Sequence, residues 1–127
     1  MADFNFELVS PERVLMSETI EHVVLPGSEG QLGVLAGHAP AVVALKPGMI
    51  TVLSGSTATR KIYVRGGFAE INSEAVTVLA EHAVDGEAMD SDAVSAEIAI
   101  AEKDLAEASS DEARFLAQSA LDSLRSI

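Results

Sequence analysis

Residue types that could do chemistry are sparse in this chain and fall in two places. The three imidazoles are His22, His38 and His82. None stands three or four residues from another, so no helical pair exists to grip a metal ion. His22 and His82 each follow a glutamate within alternating apolar sequence, where ordinary sheet positions account for them. His38 precedes Ala39-Pro40, where hydrogen bonding to turn backbone accounts for it. The second place is GSEGQLGVLAGHAP, residues 27–40, with glycine at 27, 30, 33 and 37. A phosphate-cradling Walker loop needs a Gly-Lys-Ser/Thr ending, whereas the first lysine after Gly33 is Lys46, followed by Pro47. The spacing also misses the dinucleotide fingerprint, and no Gly-x-Ser-x-Gly elbow occurs anywhere. These glycines read as turn and bulge positions. Carboxylates such as Glu70 and Glu74 read as the solvated face of a sheet. No catalytic constellation, metal set or cofactor motif is therefore expected.

The elements that carry these residues follow from apolar spacing. Up to about residue 84 the pattern has period two. Phe4, Phe6 and Leu8 share a face, as do Ile20, His22 and Val24, then Ile62 and Val64, then Val76, Val78 and Ala80. Ser10-Pro11, Pro26-Gly27, Pro47-Gly48, Ser54-Gly55-Ser56, Gly66-Gly67 and Asn72-Ser73 punctuate it. Many short strands with close turns, and no long helix between them, predict an antiparallel sandwich or flattened barrel. Gly66-Gly67 marks a bulge or a close approach of two backbones. The dispersed aromatics Phe4, Phe6, Tyr63, Phe68 and Phe115 read as core or interface plugs rather than a stacking platform.

After His82 the period changes. Beyond Gly86 there is neither Gly nor Pro, and Val94, Ile98, Ala101, Leu105 and Ala108 line one helix face. Ser109-Ser110-Asp111-Glu112 predicts a break followed by a capping box between Ser109 and Glu112. A second helix then presents Ala113, Ala117, Ala120, Leu124 and Ile127, widened by Leu116 and Leu121. The expected organisation is a β-sandwich domain over 1–84, a linker over 85–90 and an antiparallel helical hairpin over 91–127. Alanine contacts bury little surface, so this hairpin should be marginal alone and lean on the sandwich or a partner.

Charge narrows the function classes. Twenty acidic and eight basic side chains give a net charge of −12. Such a surface repels nucleic-acid phosphates and anionic lipid, so nucleic-acid binding is disfavoured. No apolar run is long enough to span a bilayer, and MADFNFELVSPE has neither the basic start nor the apolar core of a secretory signal. The absence of cysteine excludes disulfides and thiolate chemistry and fits a reducing compartment.

The order FELVSPE, GSEGQLGVLAGHAP, KPGMI at 46–50, Gly66-Gly67 after IYV, and VTVLA at 76–80 resembles the epsilon subunit of bacterial F-type ATP synthase. That resemblance implies a ten-stranded sandwich followed by a two-helix hairpin. It also implies a non-catalytic place in the central stalk, against the gamma subunit and on the ring of c subunits, peripheral to the cytoplasmic face of the bacterial inner membrane. By it, Ser28, Glu29, Gly30 and Gln31 meet the polar loops of the c ring, with Ser10 and His38 near the same end. Family members often carry a second acid where this chain has Gln31. The sequence does not rank the residues that would meet gamma.

The hairpin departs further from the family. ATP-binding members open the first helix with an Ile/Leu-Asp-x-x-Arg-Ala motif. Here the run is Ser91-Asp92-Ala93-Val94-Ser95-Ala96, which keeps Asp92 but puts Ser95 where the arginine stands. A serine cannot supply the guanidinium fork that grips phosphate. Under the second reading, a nucleotide-sensing regulatory module, Asp92 is the candidate contact. In some relatives a basic second helix wedges into the catalytic alpha/beta head. From residue 88 onward this chain has three cations against nine acids, a net of −6, which predicts a hairpin that stays on the sandwich and brakes hydrolysis weakly.

Overall fold

A computed structural model describes residues 3–127. Ten strands form one curled sheet, and two helices follow: β1 Phe4–Val9, β2 Val14–Ile20, β3 His22–Gly27, β4 Gly30–Leu35, β5 Ala41–Leu45, β6 Gly48–Ser54, β7 Thr57–Val64, β8 Gly67–Ile71, β9 Ala75–Ala80, β10 Ala83–Asp85, α1 Ser91–Glu107 and α2 Asp111–Arg125. The strand order is β10-β7-β6-β3-β5-β8-β9-β1-β2, with β4 paired to β3. All pairings are antiparallel except β1 with β9. β3 joins the two halves, pairing with β6 through His22–Val24 but with β5 only at Gly27–Leu45. The sheet curls at that single pair, and its inward faces close over Phe6, Leu8, Val23, Leu25, Ile50, Val64, Ile71 and Val78. Among the described residues no helix is long and apolar enough to cross a membrane.

Most of the expected faces hold. Phe4, Phe6 and Leu8 are buried, as are Ile62 with Val64 and the trio Val76, Val78 and Ala80. The face assigned to Ile20, His22 and Val24 does not. Glu21 separates β2, which pairs with β1, from β3, which pairs with β4 and β6, so the alternation restarts out of phase. Val23 and Leu25 face the core instead. The Glu21 carboxylate accepts hydrogen bonds from Ser54 Oγ at 3.1 Å and the Gly55 amide at 2.9 Å, tying this corner to the β6–β7 turn. At the other close approach, a Cβ on Gly67 would overlap the Leu79 carbonyl oxygen, and its φ of +141° is one that L side chains rarely adopt.

The helices pack on the outside of the sheet. β7 is buried on both faces: Ile62 and Val64 point into the sandwich, while Tyr63 points out beneath Met89, Ala101, Ala120, Leu121 and Leu124. Between sheet and helix, a 3-10 turn spans Gly86–Ala88. Asp85 caps it by accepting from the Glu87 amide, which together with Arg60 holds its carboxyl below the usual carboxylate range. Asp90 caps α1, accepting from the Ala93 amide at 2.9 Å. The cap of α2 is Ser110, which accepts from the Ala113 amide at 3.0 Å. The box predicted between Ser109 and Glu112 therefore does not form, because the helix starts one residue later than that spacing requires. Two apolar positions also differ: Leu116 and Ile127 are exposed, whereas Ala117, Ala120, Leu121 and Leu124 form the buried face. Phe68 and Phe115 are exposed as well, unlike Phe4, Phe6 and Tyr63.

Candidate functional site

The glycine-rich segment is a β-hairpin rather than a loop. β3 and β4 pair in register from His22–Leu35 to Gly27–Gly30, leaving Ser28 and Glu29 as a two-residue turn. A side chain at Gly27 would meet the Gly30 carbonyl oxygen at 2.6 Å, so this tight end of the hairpin requires glycine. Ser28, Glu29, Gly30 and Gln31 are all exposed at the tip. The Ser28 amide donates to the Ala44 carbonyl at 2.9 Å, fixing the tip against β5. The segment thus presents one carboxylate, one amide side chain and one hydroxyl on a short rigid support, which suits recognition of polar groups rather than bond making.

Ser10 lies at the same end of the sheet as this tip, on its far side, and His38 lies at the other end. Ser10 follows the last residue of β1 in a turn closed by paired backbone bonds with Arg13. From Val9 the register runs through Leu79 and Phe68 to Ala44 and so to Ser28. Ser10 and Ser28 are therefore four strand spacings apart at one end of the strands, roughly 19 Å measured along the curled sheet. His38 precedes β5, at the opposite end from Ala44. Its turn is pinned where the Gly37 amide donates to the Ser73 carbonyl, and its Nδ1–H donates to Ala39 O at 2.8 Å. The structure brings Ser28–Gln31 together, places Ser10 at the same end of the sheet and puts His38 at the opposite end.

The same register line exposes a feature that sequence reasoning missed. Val14, Val9, Leu79, Phe68 and Ala44 stand opposite one another across β2, β1, β9, β8 and β5, all on the outward face. Val14, Leu79 and Phe68 are 56%, 53% and 57% exposed, and Val42 on β5 is exposed beside them. This apolar row ends at Ala44, against the polar hairpin tip. The signal was present: VTVLA and GFAEI carry large apolar residues at both parities, more than a sheet with one wet face needs.

A cleft of about 410 Å³ opens between hairpin and sandwich, bordered by Tyr63, Arg65, Glu81, Glu97, Asp104 and Glu107 among others. One arginine faces four carboxylates there, the wrong balance for a polyphosphate. Asp92 is exposed in the first turn of α1 and does not border this cleft. His82 sits in the turn between β9 and β10 rather than within a strand, because β9 ends at Ala80, and its Nε2–H donates to Glu97 at 3.2 Å. Burial, then the Glu97 carboxylate, pushes the Tyr63 phenol up to about 12.

Residues 3–86 match the family model described as ATP synthase, Delta/Epsilon chain, beta-sandwich domain. The ATP synthase epsilon chain of Parvibaculum lavamentivorans is 47% identical over 97% of this chain and 93% of its own length. That of Mesorhizobium japonicum is 44% identical over 98% and 92%. Among solved structures, a chain of Euglena gracilis mitochondrial ATP synthase shares the fold with a TM-score of 0.72 at 24% identity, over 98% of this chain and 79% of that one. A chain from the Tetrahymena thermophila mitochondrial ATP synthase central stalk and c ring shares it with a TM-score of 0.64 at 8% identity, over 98% and 96%. On the strength of the matched sandwich and these near full-length relatives, this chain belongs to the ATP synthase epsilon chain family.

Proposed function

We propose that this chain is a coupling element in the central stalk of an ATP synthase, held at the cytoplasmic face of a bacterial inner membrane between the gamma subunit and the c ring. It makes no bonds itself; catalysis belongs to other subunits, and this one keeps the rotation of the ring in step with gamma. The observation that carries the reading is the adjacency of two unlike outward surfaces on one stiff support. The apolar row Val14–Val9–Leu79–Phe68–Ala44 suits a large, dry contact with gamma. The polar tip Ser28–Gln31 suits the charged loops of the ring. Ser10, at the tip's end of the sheet, keeps the ring contact that the family resemblance implies. A densely packed sandwich deforms little under load, so torque applied at the tip reaches the row.

The helical hairpin stays mainly on the sandwich in this reading and restrains hydrolysis weakly. Its −6 charge gives it little attraction to acidic segments of a catalytic alpha/beta head. The test is reconstitution into membrane vesicles with two variants. Phe68→Asp with Leu79→Asp should abolish recovery of the chain with gamma. Glu29→Lys should leave that recovery intact while lowering proton-driven ATP synthesis several-fold. Wild-type binding and synthesis in both variants would reject the reading.

A further inference from the structure

Among the described residues, Glu97 is the one hairpin side chain that hydrogen-bonds to side chains of the sandwich. Oε1 accepts from Arg65 Nη2 at 3.1 Å and Oε2 from His82 Nε2 at 3.2 Å. Both donors belong to the sandwich, and the Arg65 amide donates to the His82 carbonyl at 3.0 Å, so the two are held together before the carboxylate arrives. Glu97 is 12% exposed in its side chain, whereas Arg65 and His82 keep substantial access to water. Everything else joining the two units is apolar or weakly electrostatic: the cluster around Tyr63, and Lys46 over the Phe115 ring at 5.9 Å. The other charged groups bordering this cleft, Glu81 on the sandwich and Asp104 and Glu107 on α1, are acids. Without Arg65 and His82, negative charge would face negative charge.

We propose that Glu97 is a clasp, a carboxylate gripped by the preformed Arg65–His82 pair, and that its occupancy sets how much of the time the hairpin lies on the sandwich. The clasp is suited to reversible use. All three groups can hydrate once they part, so release strands no charge in a dry interior, as opening a fully buried pair would. Its directionality also fixes where α1 lands, which non-directional apolar contacts around Tyr63 do less sharply. This inference concerns the isolated chain and does not depend on the partners proposed above.

The test is amide hydrogen exchange on the whole chain. Glu97→Gln keeps the size of the side chain and removes its charge. It should speed exchange across α1 and α2 roughly ten-fold, between the small effect of an exposed pair and the large one of a buried pair. Amides of the central strands, such as those of Val23 and Val78, should not change. Arg65→Gln should do the same, and the double variant should add little to either single one. Added salt should loosen the wild-type helices and leave those of Glu97→Gln unaffected; if that variant does not fold, the wild-type salt series decides. Unchanged helix exchange, additive Arg65 and Glu97 effects, or wild-type docking indifferent to salt would overturn the proposal.

Discussion

Replacing Leu124 by alanine should release the helical hairpin while leaving the sandwich folded. Leu124 is 1% exposed and packs with Tyr63, Met89, Ala101, Ala120 and Leu121. Four of the buried side chains in that cluster are large, each stabilising by about 1.5–3 kcal/mol when fully buried, and Met49, Val84, Val94, Ile98 and Leu105 pack partly buried around them. A Leu→Ala change at such a site costs about 2.7–5 kcal/mol, counting the void it leaves. At about 1.4 kcal/mol per factor of ten, docking should weaken by roughly 100-fold or more. The sandwich core shares none of these residues, so its stability should barely change.

Tyr63 reports the event without a label, because it is the only tyrosine and the chain has no tryptophan. Docked, its ring is 1% exposed and its phenol is held at about 12, first by burial and then by Glu97. Released, it should titrate near the ordinary value of about 10. The docked form binds this proton more tightly than the released form. Docking is therefore at full strength below about pH 10 and is progressively lost, by a few kcal/mol, as pH rises through about 12. Phenolate absorbance after rapid pH jumps should show the Leu124→Ala ring titrating well below the wild type, with Leu116→Ala, an exposed position, unchanged. A Leu124→Ala ring still titrating near 12, or sheet and helices lost in one transition, would refute the division into a firm sandwich and a loosely held hairpin.

Three further outcomes follow from single contacts. Gly67→Ala should destabilise the sandwich by about 2–4 kcal/mol in a denaturant melt, since its Cβ overlaps the Leu79 carbonyl at a backbone angle alanine resists; a loss below about 1 kcal/mol would mean β8 and β9 can part cheaply. Ser110→Ala should cost the hairpin about 1 kcal/mol in helix stability by circular dichroism, and Ser109→Ala almost nothing; the reverse order would restore the earlier capping position. If the apolar row is the proposed gamma contact, Phe68→Ala should weaken binding to gamma by roughly ten-fold in a titration, while a change below two-fold would take the row out of that contact.

Features that repeat along the chain were legible in the sequence. Strand alternation at Phe4–Leu8 and Val76–Ala80, and helical spacing at Val94–Leu105, gave the architecture because many residues vote on each period. Features decided by a single residue were less so. Glu21 breaks the alternation with no glycine or proline to mark it, and the choice between Ser109 and Ser110 as cap rests on one step of helix phase. The candidate site divided in the same way. Ser28–Gln31 are contiguous and stayed together, whereas Ser10 and His38 are joined to them only through register across several strands. The Arg65–His82–Glu97 cluster was out of reach for a related reason: three separate segments meet there, and each residue alone reads as an ordinary sheet or surface position.

The two units differ in how they resist being pulled apart, and that difference bears on what each can do. The sandwich is closed by large side chains drawn from strands far apart in sequence, so loosening one strand disturbs several neighbours at once. The hairpin is held through a handful of side chains on one face and through Glu97. A load carried between two partners belongs on the first kind of structure, whose interior transmits displacement with little give. A part that changes position belongs on the second, since local opening draws on the weakest cooperative unit. Charge then limits where the released hairpin can go. With nine acids against three cations beyond residue 88, it gains more from returning to Arg65 and His82 than from an acidic surface elsewhere. The sandwich-bound position is thus favoured by the mismatch of alternatives as much as by the contacts made there.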